Sequence, residues 1–315
     1  MRSQSVILDV KNVTKKFGLV TAVNHVSLQV KEGEIYGLTG PNDSGKTTLI
    51  KMILGHLRPT AGNISVFGYD NQKEYADAVD FIGATMEYPN HYPYLSGWQN
   101  LMMTANMYPD VNKARVEEVT ELVGLKSVIH QKVKSYSLGM KQRLSIAQSI
   151  LKYPQLLILD EPLKGFDPSA MHDFVQLMKS IAANGTSVLL TSYLLEDLEE
   201  LCDRVGIMSH GYLIAERAMA DLQVGDTSSF TIRIKEGSEA EAYQLLRDNQ
   251  NKDIDETYSF DKVSDCIFEI TSSTMPPSRL NRILVEAGID VEEIRTHRQT
   301  LEELYTSLTG GAEIE

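Results

Sequence analysis

Apolar and polar positions alternate in two short stretches rich in β-branched residues near the start of the chain, Val6 to Val10 and Val26 to Val30. A period of two puts one side of a strand in a core and the other in water, so these stretches predict half-buried antiparallel strands forming a small β layer. Glu34 to Thr39, Leu156 to Leu159 and Val188 to Thr191 are instead compact apolar runs without alternation, the pattern of strands covered on both faces of a parallel sheet. Thr47 to Leu57, Lys113 to Val123, Gly139 to Leu151 and Ser169 to Ala182 carry helical spacing. Strands alternating with helices predict a doubly wound α/β unit. The mostly helical stretch from about 90 to 150 is inserted into it as a lobe.

A turn-rich break at Gly225-Asp226-Thr227-Ser228-Ser229 places a boundary between a domain of residues 1–224 and one of residues 225–315. Beyond it, Phe230 to Lys235 reads as a strand, Ser238 to Asp248 as a helix, and Tyr258 to Phe260 with Cys266 to Ile270 as a hairpin. Leu280, Ile283, Leu284 and Ala287 recur at helical spacing, with Gly288 placed as the C-cap, and Ile289 to Arg295 is a last strand. This β-α-β-β-α-β order resembles a ferredoxin-like split unit. Thr300 and Glu303 then fit the capping box of a final helix.

At 315 residues, 42% hydrophobic and 23% charged, the chain has the length and apolar content for two packed domains. Its net charge of -13 argues against a nucleic-acid partner, which would need a dominating basic face. The two cysteines, Cys202 and Cys266, sit in apolar stretches and read as core packing, and the seven histidines form no zinc-ligand pattern. With no run of 18 apolar residues and no apolar signal region at the start, the expected location is the cytosol.

Gly40-Pro41-Asn42-Asp43-Ser44-Gly45-Lys46-Thr47 matches G-x-x-x-x-G-K-[ST] directly after a predicted buried strand and directly before a predicted helix. Glycines let the backbone N–H groups turn inward on a phosphate, and the helix start adds its positive dipole end. Lys46 then reaches the β and γ phosphates, Thr47 ligates Mg2+, and Thr48 continues the loop into the helix. The run Leu156-Leu157-Ile158-Leu159-Asp160-Glu161 ends a buried strand in two carboxylates. Asp160 is expected to hold the Mg2+ shell, and Glu161 to orient and deprotonate an attacking water. Paired carboxylates after a strand also serve as plain helix N-caps; the upstream phosphate motif favours the catalytic role.

Tyr136-Ser137-Leu138-Gly139-Met140-Lys141-Gln142-Arg143-Leu144 resembles the LSGGQ-type signature of ABC ATPases, a short helix before the second carboxylate strand as in that family. The resemblance covers residues 5 to about 220 and implies a P-loop ABC ATPase domain: a parallel-sheet core, a small antiparallel β layer and an inserted helical lobe, with a small C-terminal α+β domain after it. It implies that Ser137 and Gly139 cap the γ-phosphate of ATP held by the opposite subunit, that Asp167 is the D-loop residue linking the two sites, and that Phe17 stacks on adenine. Ile82 to Ser96 looks like the Q-loop, with Glu87 in place of the usual glutamine and still offering Mg2+ an oxygen. Glu87, the YSLGMKQRL signature, and the ending from Leu301-Glu302-Glu303-Leu304 to Leu308-Thr309-Gly310-Gly311 are similar to the bacitracin and lantibiotic self-protection branch of ABC exporters.

Four departures qualify that pattern. Tyr193 stands at the family's switch histidine; a phenol donates one hydrogen bond but does not become cationic near neutral pH. Asp43 stands where the loop usually has glycine, and Lys164 and Phe166 replace the usual asparagine and leucine. Slow hydrolysis is the expectation. The resemblance implies a transmembrane permease partner and a second ATP-binding subunit, a like copy or a different one, at the inner face of the membrane. The aromatics Tyr88 to Tyr94 offer a docking surface or fill a core. A degenerate regulatory subunit that binds ATP and scarcely cleaves it is the alternative. One cassette, no long coiled coil and an acidic balance argue against an ABC ATPase acting on ribosomes or DNA.

Overall fold

The structure, a computed structural model, describes residues 5–86, 91–163, 166, 168–222, 228–250, 258–272, 274–297 and 300–309. Glu87, Lys164 and Asp167, and most of the expected break at Gly225 to Ser229, lie outside them. The chain forms two compact units, Met1–Met219 with Leu304–Glu315, and Ala220–Glu303.

The first unit begins with a long antiparallel hairpin, β1 (Val6–Phe17) and β2 (Val20–Lys31). Both strands run well past the stretches marked by alternation. Asn12 and His25 adopt φ of 48° and 50°, and the register shifts between Val10 and Val13 and again between Val13 and Lys15. Such bulges break the period of two without ending the pairing. β3 (Ile35–Thr39), wholly buried, leads through the glycine-containing loop into α1 (Lys46–Ile53). Helical spacing predicts that helix as far as Leu57. It stops at Ile53 because Gly55 turns left-handed at φ 72°, where a Cβ would lie 2.5 Å from the Tyr75 ring.

β4 (Ala61–Val66) and β5 (Tyr69–Asp70) complete an antiparallel layer in the order β2-β1-β4-β5, and α2 (Tyr75–Asp80) and β6 (Ile82–Thr85) follow. The lobe contains α3 (Gly97–Ala105), α4 (Lys113–Leu122) and α5 (Leu138–Ile150). Ser96 and Gln99 form a capping box at the start of α3. The buried Arg115 of α4 donates to the carbonyls of Ile150 and Leu151 at 2.6 and 3.2 Å, tying the two helices together.

β7 (Leu156–Leu159), α6 (Pro168–Ala183), β8 (Ser187–Ser192), α7 (Leu195–Leu201), β9 (Arg204–Ser209) and β10 (Tyr212–Ala218) alternate to the short α8 (Met219–Leu222). The main sheet has the order β10-β9-β3-β8-β7-β6, parallel except at β10. Leu49, Ile50, Met52 and Ile53 of α1 share one buried cluster with Leu8, Val10 and Ile64 of the antiparallel layer and Ile158 and Leu189 of the main sheet. Burial of this apolar face holds the helix and fixes the loop at its start, while Thr47, Thr48 and Lys51 are only partly covered.

The second unit, taken by itself, runs β11 (Ser228–Ile234), α9 (Glu239–Asn249), β12 (Tyr258–Ser264), β13 (Ile267–Ser272), α10 (Pro277–Glu286) and β14 (Val291–His297). Its antiparallel sheet has the order β12-β13-β11-β14, that of a split β-α-β-β-α-β unit. Phe230, Ile232, Phe268, Ile270, Leu280 and Leu284 fill its core. Ala287 is the C-cap of α10, and Gly288, at φ 82°, is the residue after it. At the start of α11 (Leu301–Thr309) the backbones and side chains of Thr300 and Glu303 exchange two hydrogen bonds of 3.1 Å. Cys202 is buried, whereas Cys266 only borders a core, its thiol donating to Glu239 at 3.3 Å.

Candidate nucleotide site

The loop between β3 and α1 owes its path to two glycines. A Cβ on Gly40 (φ 144°) would lie 2.1 Å from the Met208 carbonyl, and one on Gly45 (φ 105°) 2.4 Å from that of Ala22. Asp43 also sits at positive φ, 62°, a conformation that aspartate tolerates better than most residues. Gly45 caps α1 without a side-chain hydrogen bond, and the first turn holds no acidic residue, so its N–H groups are free of a competing side-chain carboxylate.

Lys46 is 6% exposed, and its ammonium donates to the carbonyls of Gly40 and Pro41 at 2.7 and 2.9 Å. Burial pulls its pKa down, while the charges of Glu161, Asp160 and Asp43 push it back up. A buried cation facing three carboxylates is placed for an anionic ligand that carries its own counter-ion.

The ends of β7 and β8 supply the acidic half. Asp160, 2% exposed, accepts on Oδ1 from Thr191 at 2.7 Å and from Thr47 at 3.4 Å. Its Oδ2 is buried with no hydrogen-bond partner among the described residues. An orphaned carboxylate oxygen beside a threonine hydroxyl suits a hard divalent cation such as Mg2+. Among the described residues no cluster of three His, Cys, Asp or Glu side chains could hold a metal. Glu161 turns away at φ 50°, its N–H donating to the Thr191 hydroxyl at 2.8 Å.

A cavity of about 1100 Å3 gathers Phe17 of β1, Asn42 to Thr48, Asp160, Glu161 and Tyr193. Ser137 and Gly139 do not line it. Ser137 is exposed and caps α5, accepting the Met140 N–H at 3.2 Å.

Residues 23–164 match the family described as ABC transporter. The chain is 41% identical over 304 residues to the ABC transporter ATP-binding protein YdbJ of Bacillus subtilis, covering 96% of this chain and 95% of the relative. The chain belongs to the ABC transporter ATP-binding proteins. It is also similar to the bacitracin transport ATP-binding protein BcrA of Bacillus licheniformis, 34% identical over 311 residues, 98% of this chain and 99% of the relative. Among solved structures, an ATP-binding subunit of an ABC transporter superposes with a TM-score of 0.62 at 29% identity, covering 69% of this chain and 92% of that one.

Several further residues of this ABC ATP-binding subunit line or organise its site without having been assigned a role from the sequence. Gln142 lies one helical turn beyond Leu138, and both reach the cavity. Val20, Thr21 and Ala22 enter from the hairpin, His210 and Gly211 from the β9–β10 turn. Gly211 stitches that turn to the phosphate loop, its N–H donating to the Ser44 carbonyl at 3.0 Å, while its carbonyl accepts the Asn24 N–H at 2.8 Å. Only Thr191 had a usable cue, its place at the carboxyl end of a buried parallel strand, where α/β sheets bind ligands.

Proposed function

We propose that this subunit binds MgATP in the cavity, closes around it with a second ATP-binding subunit, and hydrolyses it to drive export through a transmembrane permease. The convergence of Lys46, Thr47, Asp160 and Glu161 on one cavity at the carboxyl edge of the sheet carries this proposal. The loop amides and Lys46 hold the triphosphate, and Phe17 gives the base an aromatic face. Mg2+, held by Thr47 and Asp160, would neutralise charge building on the phosphate oxygens. Glu87 would offer the same ion an oxygen. Glu161 takes the proton of the attacking water.

Ser137 and Gly139 lie at the exposed start of α5, a helix end suited to a phosphate brought by another subunit. Asp167 would connect the two shared sites. Among the described residues no helix is long and apolar enough to cross a membrane, so the pathway belongs to a permease and this subunit works at its cytosolic face. Tyr92 and Tyr94, 60% and 76% exposed, are available for docking it. The similarity to BcrA supports a peptide antibiotic as the exported cargo.

Tyr193 in place of a histidine favours slow turnover, and with Asp43 it supports the second reading, a regulatory ATP-binding subunit with little hydrolysis. Steady-state ATPase of the purified chain, alone and with its permease, decides between them. Glu161→Gln is expected to lower turnover by about a hundredfold or more, and Tyr193→His to raise it by about tenfold. Native turnover in Glu161→Gln would refute the assigned base. Absence of turnover in every arm favours the regulatory subunit.

A further inference from the structure

Phe17 is 49% exposed at the end of β1 and lines the cavity. A half-exposed ring beside Gly18 has rotamer freedom that must be surrendered when a base stacks on it. The structure limits that freedom from one side. The Lys15 ammonium stands 5.1 Å from the Phe17 ring centroid. Phe17 lines the cavity and Lys15 does not, so the ring stands between the cation and the space a base would fill only if Lys15 keeps to its outer face, which is the arrangement a positioning role for Lys15 requires.

Lys15 is itself anchored, donating to the Arg58 carbonyl at 2.7 Å. Two further bonds brace the same strand end: Thr60 N–H to the Thr14 carbonyl at 2.7 Å, and Lys16 N–H to the Thr60 hydroxyl at 3.0 Å. Arg58 and Thr60 belong to the segment leaving α1, the helix that starts at the phosphate loop. One continuous stretch of chain thus forms the phosphate cradle at its start and braces the strand that carries Phe17 at its end.

We infer that Lys15 is a positioning residue: it holds the Phe17 ring with one face occupied and the other open to the nucleotide base, and so sets the base-dependent share of nucleotide affinity. The inference rests on the proposed ATP site. It names a contribution that a baseless triphosphate does not feel, because the cation acts through the ring and not on the phosphates.

The test uses the full chain with Mg2+ and measures, by competition against a fluorescent ATP analogue, the affinities of ATP and of inorganic tripolyphosphate. Lys15→Met, which keeps the aliphatic stem, is expected to weaken ATP by about two- to five-fold, the size of an exposed cation–π contact, and to leave tripolyphosphate unchanged. Lys15→Arg is expected to restore ATP binding. In a Phe17→Ala background the Lys15→Met change is expected to have no further effect. Equal weakening of ATP and tripolyphosphate by Lys15→Met overturns the inference in favour of a bulk charge effect. Unchanged ATP affinity in Lys15→Met, with a loss in Phe17→Ala, overturns it and leaves the aromatic platform standing. No loss of ATP affinity in Phe17→Ala removes the platform itself, and the inference with it.

Discussion

The Thr191 hydroxyl donates to Asp160 Oδ1 at 2.7 Å, and Thr191 Oγ1 in turn accepts the Glu161 N–H at 2.8 Å. One residue of β8 therefore orients both acidic residues at the end of β7. Groups that aim metal ligands and bases from behind are worth about 10- to 100-fold in activity. Thr191→Val is expected to cost about that much ATPase activity and to raise the Mg2+ concentration needed for half-maximal turnover, whereas Thr191→Ser keeps both near native. A valine variant with native Mg2+ dependence would show that Asp160 needs no such support.

Asp43 adds a negative charge to a loop proposed to hold a triphosphate, and its carboxylate raises the pKa of Lys46. Glycine adopts the φ of 62° found there at no steric cost. Asp43→Gly is expected to tighten ATP binding by about two- to five-fold at low ionic strength, with the gain shrinking as salt screens the charge. Calorimetric titration at two salt concentrations measures it; a gain independent of salt points to backbone relief instead of charge.

The phosphate loop and the β7 carboxylates were legible because each is a local pattern in a fixed context, an apolar strand running straight into the functional residues. The hairpin that presents Phe17 was only half legible, since bulges at Asn12 and His25 spoil the alternation while pairing continues. The end of α1 was misjudged because apolar spacing continues to Leu57, and the stop depends on Gly55 meeting Tyr75, twenty residues away. β6, β9 and β10 gave no separate signal, so His210 could not be placed by pattern. Contacts of this kind are created by the order of strands in the sheet, which no window of sequence contains.

His91 ties the segment before α3 to the signature helix, its Nε2 lying 3.0 Å from both the Lys141 carbonyl and the Ser145 hydroxyl. The carbonyl can only accept, so Nε2 carries the proton, and Nδ1 is buried with no partner among the described residues. Burial, helped by the charge of Lys141, lowers its pKa from the ordinary 6.5. The native state then stays neutral at a pH where the unfolded chain takes up a proton, so this contribution is intact above 6.5 and fades as pH falls through it. Between pH 7.5 and 5.5, the native chain is expected to lose on the order of 1–2 °C more in Tm than His91→Gln does. Parallel Tm curves for the two chains would contradict a buried neutral His91.

The proposed function turns on a shared triphosphate, between the loop ending at Thr47 in one copy and Ser137 of its mate, which would make this subunit a motor and not a simple nucleotide binder. The direct measurement is disulfide trapping in the Glu161→Gln chain with Cys202 and Cys266 replaced by serine and with Asn42→Cys and Ser137→Cys introduced. With MgATP, covalent dimers joined between position 42 of one copy and position 137 of the other are expected to form, and with MgADP or no nucleotide they are not. Monomers that remain uncrosslinked when saturated with MgATP would show that the two positions do not meet, and would contradict the shared site.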